Sequence, residues 1–105
     1  MRERLFSFEY SAPRTNEALE KLKKTHYRLN PLKPHFCSVT YGAGVSTKEG
    51  TQQAILELSS GSTPMAPHLS FGNDPLLTID ELLKTYRSAG VSRLVALRGD
   101  RPSRI

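Results

Sequence analysis

The chain has 105 residues, within single-domain size and well short of the ~250 residues of a complete eight-stranded βα barrel. Hydrophobic residues make up 37% and charged residues 24%, so it reads as a soluble, foldable chain rather than a disordered or membrane-spanning one. The formal net charge of +5 favours anionic partners, but the charges are scattered and equally fit a solvated surface.

Leu5 to Glu9 alternates strictly and predicts a first strand. Phe6 and Phe8 share one face; Leu5, Ser7 and Glu9 share the other. Thr15 is placed to cap a helix reaching Leu29, with Leu19, Leu22, His26 and Leu29 on one stripe. Asn30, Pro31 and Pro34 break it. Phe36 to Tyr41 is the second strand, with Cys37 and Val39 facing one way and Ser38 and Thr40 the other. Gly42, Ala43 and Gly44 form a loop open to close approach. Ser46 and Glu49 have capping-box spacing, so a second helix starts there, weakened by Gly50 and ended by Gly61.

Met65 to Ser70 is the third strand, with Ala66, His68 and Ser70 on one face. Thr78 and Glu81 form another capping box, and Gly90 suits the C-terminal cap of that third helix. Arg93 to Leu97 is the fourth strand. Four strands alternating with three helices predict an α/β fold, βαβαβαβ, with a parallel sheet. The length fits either a small complete α/β domain or the first part of a larger one; two bare sheet edges and a last strand without its helix are a sign that something is missing.

Polar residues recur where the predicted strands end. From Glu9 to Tyr41 to Ser70 to Arg98 the steps are 32, 29 and 28 residues, the period of a βα repeat. In βα barrels the working residues sit at the C-terminal strand ends, so the spacing predicts a shared site. Glu9 ends an apolar strand, where loss of water favours a protonated carboxyl able to act as a general acid. An exposed glutamate paired with a lysine fits that position too. The Tyr41–Gly44 loop precedes a helix N-terminus, a place where backbone N–H groups meet phosphates, but it is also an ordinary tight turn. His68 suits a cofactor hydrogen bond or a satisfied core position. Arg98, Gly99 and Asp100 set a cation and an anion at a strand top, as a surface salt bridge also does. Cys37 is the single cysteine, which excludes an internal disulfide and fits a reducing cytoplasm. No metal-ligand cluster, nucleic-acid motif, membrane span or signal peptide is evident.

The segments FSFEYSAPRT at 6–15, VTYGAGVST at 39–47, APHLS at 66–70 and LVALRGD at 94–100 together resemble methylenetetrahydrofolate reductase. The resemblance runs along nearly the whole chain. It implies that residues 1–105 are the first half of a (βα)8 TIM barrel, a single reductase domain whose second half is absent. It implies a flavoprotein of one-carbon and methionine metabolism that reduces 5,10-methylenetetrahydrofolate with NAD(P)H through FAD. Glu9 matches the family's general acid, which protonates the bridging nitrogen of the folate. Thr40, Tyr41, Ala43, His68, Arg98, Gly99 and Asp100 match its flavin contacts, and Asp100 also approaches the folate. The folate and nicotinamide partners belong to the full-length enzyme, so the isolated chain is expected to be inactive. The competing expectation is a non-enzymatic half-barrel that forms a homo-oligomer or docks on a partner half.

Overall fold

The computed structural model describes residues 5–40, 45–70 and 76–97, with side chains from 49 and 78 onward in the second and third of these stretches. The elements follow the predicted order: β1 (Ser7–Tyr10), α1 (Asn16–Leu29), β2 (Phe36–Val39), α2 (Val45–Leu58), β3 (Met65–Ser70), α3 (Leu76–Ser88) and β4 (Val95–Leu97). A single 3-10 turn at Asn30–Leu32 links α1 to β2. The strands form one parallel sheet in the order β1-β2-β3-β4. This α/β arrangement is that of consecutive units of a TIM barrel.

Local chemistry explains the boundaries. The Thr15 hydroxyl accepts from the Ala18 amide at 3.0 Å and caps α1. At the other end of the fold, Gly90 takes φ +86°. There the Gly90 amide reaches the Arg87 carbonyl at 3.1 Å and the Val91 amide reaches Tyr86 at 3.0 Å, which closes α3 in a Schellman motif. Two expectations shift. Helix α3 opens at Leu76, so Thr78 lies within its first turn instead of capping it. Strand β4 begins at Val95, two residues late, because Arg93 is used otherwise. Its guanidinium lies over the Phe36 ring, 5.8 Å from the centroid, and donates to the His35 carbonyl at 3.2 Å.

Strand parity divides the sheet. Tyr10, Cys37, Val39, Met65 and Leu69 pack with Leu19 of α1, Ala54, Ile55 and Leu58 of α2, and Ile79, Leu82 and Tyr86 of α3. The helices therefore cover one face. The opposite face carries Glu9, Ser38, Ala66 and His68, brought side by side by the parallel register Glu9↔Ser38↔Ala66. At the edges of the sheet Leu5, Phe6 and Leu94 remain exposed.

Candidate functional site at the strand tops

The polar face converges on two residues from non-neighbouring strands. His68 of β3 reaches across β2, and its Nε2 lies 3.3 Å from Oε1 of Glu9. The small side chain between them at Ser38 lets the pair meet over the middle strand. His68 is largely enclosed, with 10% of its side chain exposed, whereas Glu9 is 62% exposed. Of the two surroundings the sequence allows for Glu9, the exposed one is found, with His68 rather than a lysine beside the carboxyl. Glu9 sits on an edge strand, on the face opposite the helices, and its side chain stays open to water although Ser38, Ala66 and His68 on that face are buried.

Thr40 stands just past β2, held by three bonds. Its amide donates to the Tyr10 carbonyl at 2.9 Å. Its Oγ1 accepts from the Ala12 amide at 3.2 Å, and its carbonyl accepts from the Thr51 hydroxyl at 2.7 Å. The Thr40 hydroxyl can still donate its own hydrogen. This lattice fastens the ends of β1 and β2 to α2. Gly50 completes it: a side chain there would collide with the backbone carbonyl of Pro13, so α2 approaches the β1–α1 connection only because residue 50 has none. The sequence reading took Gly50 as a weak point of the helix; the structure shows it as a close-packing point. Tyr41, Ala43, Arg98, Gly99 and Asp100 lie outside the described residues.

Two features escaped the sequence reading. Under the helices, the Cys37 thiol donates to the Tyr10 hydroxyl at 3.7 Å, and that hydroxyl meets His26 Nδ1 at 2.9 Å. Burial pushes the Tyr10 phenol and the Cys37 thiol up and the His26 imidazolium down, so all three are uncharged near neutrality. Parity already placed Cys37 on one face with Val39 and the helical stripe already held His26; only their meeting at Tyr10 needed coordinates. The second feature is Ser70, whose buried hydroxyl has no partner among the described residues.

The sequence pattern of the family described as Methylenetetrahydrofolate reductase matches residues 1–104. The chain belongs to the methylenetetrahydrofolate reductase family. It is 39% identical over 103 residues to a probable methylenetetrahydrofolate reductase (NADH) of Oryza sativa subsp. japonica, covering 93% of this chain and 17% of that protein. It is 37% identical over 97 residues to the 5,10-methylenetetrahydrofolate reductase of Pectobacterium carotovorum subsp. carotovorum and 36% identical over 97 residues to that of Escherichia coli strain K12. Each of these matches covers 91% of this chain and 33% of the relative. The chain thus spans a third of the bacterial methylenetetrahydrofolate reductases it matches, and less of the plant ones. The family is one of oxidoreductases.

Proposed function

We propose that this chain supplies the general acid and part of the cofactor rim of a methylenetetrahydrofolate reductase. The observation that carries this reading is the meeting of Glu9 and His68, from β1 and β3, at the C-terminal ends of the strands. That is where βα barrels perform chemistry.

The face fits a flavin in its donor set. Ser38 and Ala66 are small side chains beside His68, whose ring nitrogens can donate or accept. His68 and Thr40 hold the cofactor, together with Tyr41, Ala43, Arg98, Gly99 and Asp100 by resemblance. A bound FAD supplies hydride drawn from NAD(P)H; the plant relatives bear NADH in their names, which favours that donor. The protein's own step is proton delivery. Glu9 Oε1 gives a proton to the bridging nitrogen of 5,10-methylenetetrahydrofolate. The C–N bond there breaks, and the carbon becomes electrophilic enough to accept hydride. His68, in contact with Glu9, fixes where that exposed carboxyl points. Asp100 approaches the folate by resemblance.

Residues 1–105 act here as the first part of a cytoplasmic barrel domain, and the isolated chain is expected to turn over little or no substrate. Folate- and flavin-dependent NADH oxidation by the purified 105-residue chain would refute that expectation. A second reading is favoured by the exposed Leu5, Phe6 and Leu94 at the two sheet edges: a half-barrel that pairs with a second copy or a complementary half. Gel filtration separates the two, since a monomer across the micromolar range speaks against pairing of copies.

A further inference from the structure

Ser70 closes β3 on the same face as His68, one pleat repeat nearer the rim and in register with Leu97 of β4. It is only 7% exposed. Its Oγ is sealed from water and has no hydrogen-bond partner among the described residues. Native structures leave few buried polar atoms unpaired, and those that persist ask for an explanation. Among the described residues the other such atom, His26 Nε2, lies on α1 on the helix-covered side of the sheet, away from the rim. Ser70 lies on the rim itself.

We propose that Ser70 is a ligand-binding residue, its Oγ completing its hydrogen bond on the polar edge of a fused-ring heterocycle held beside His68. The inference rests on the reductase reading and extends it to a residue that reading did not assign. His68 and Ser70 are about 7 Å apart along one strand, so a ligand touching both is several atoms long. A hydroxyl donates and accepts at once, which suits an edge of alternating carbonyl oxygens and ring N–H groups. Isoalloxazine and pterin rings both have such an edge. Contact requires the ligand to take the place of the groups that screen the hydroxyl in the ligand-free chain.

The test places residues 1–105, as wild type, S70A and S70T, in a complete barrel in place of the corresponding first third of the Escherichia coli relative, titrates each separately with FAD and with 5-methyltetrahydrofolate, and melts each without ligand. An idle hydroxyl predicts that ligand-free S70A melts at or above the wild-type temperature. It also predicts that S70A loses roughly 2- to 10-fold in affinity, the worth of one net hydrogen bond, while S70T retains more. Loss towards FAD assigns the contact to the flavin, and loss towards the folate assigns it to the pterin. Equal affinities of wild type and S70A for both ligands overturn the inference and leave the reductase reading standing. A marked drop in ligand-free melting of S70A overturns it as well, by showing a structural role. Wild type binding neither ligand overturns the inference together with the cofactor reading.

Discussion

Replacing Gly50 by alanine sets two physical effects against each other, and the structure decides between them. Gly50 lies inside α2, where alanine is the better helix former by about 1 kcal/mol. Helix propensity alone therefore makes G50A stabilising. The added Cβ, however, would strike the Pro13 carbonyl oxygen and come within 3.2 Å of its carbon. Both atoms are main chain, so neither can rotate aside as a flexible side chain would. Overpacking costs about 1–3 kcal/mol, and a backbone collision belongs at the upper end. The net expectation is a loss of about 1–2 kcal/mol, or a melting temperature lower by roughly 5–15 °C for a chain of this size. Circular dichroism melts of wild type, G50A and G61A measure it. G61A is the control, since a Cβ there meets only the Leu58 carbonyl at an ordinary 3.5 Å. The displacement should also reach the strand tops, because Ala12, next to Pro13, is bonded to Thr40. Amide resonances of Ala12 and Thr40 should move in G50A and stay in G61A. A G50A protein as stable as wild type, or more so, would refute the close-packing argument.

Two further outcomes follow from the helix-covered face. Burial lowers the His26 pKa, so the folded chain binds its proton less readily than the unfolded chain, whose histidine titrates near ~6.5. Its stabilising neutral form is fully present above that pH, and stability is lost as pH falls below it. Urea midpoints at pH 7.5 and 5.0 should differ less in H26L than in wild type; an unchanged difference would remove His26 from the account. Ile55 is fully buried between α2 and the sheet, so I55A should lose about 2–5 kcal/mol in urea denaturation, whereas a loss under 1 kcal/mol would mean that the core is not packed as described.

Much of the fold was legible because alternation and side-chain size agree. Cys37 and Val39 against Ser38 and Thr40 assigned the faces of β2, and both inward residues are fully buried. Thr15 and Gly90 marked helix ends through local bonding that the sequence shows directly. What failed depends on partners distant in the chain. Arg93 looked like a strand residue until Phe36 and His35 claimed its guanidinium. Gly50 looked like a flaw because Pro13, 37 residues earlier, is not visible as its neighbour in the sequence. For the site, the strand-end rule brought Glu9 and His68 to one rim, and the structure has them in contact. The same rule left open whether Glu9 is enclosed or exposed, and the coordinates give the exposed state. Ser70 was legible as the polar strand-end residue of β3 in the repeat spacing; that its hydroxyl lacks a partner among the described residues has no signature in sequence.

The central claim is that Glu9 delivers the proton for folate reduction. Its most direct test places residues 1–105 in place of the corresponding first third of the Escherichia coli relative and compares Glu9 with E9Q in that complete barrel. Reduction of bound flavin by NADH and reduction of 5,10-methylenetetrahydrofolate are measured separately by stopped flow. The account expects E9Q to leave flavin reduction within about 3-fold and to slow folate reduction by ~10²–10⁴-fold, the usual worth of a general acid. An E9Q barrel that reduces the folate at the rate of the Glu9 protein would contradict it.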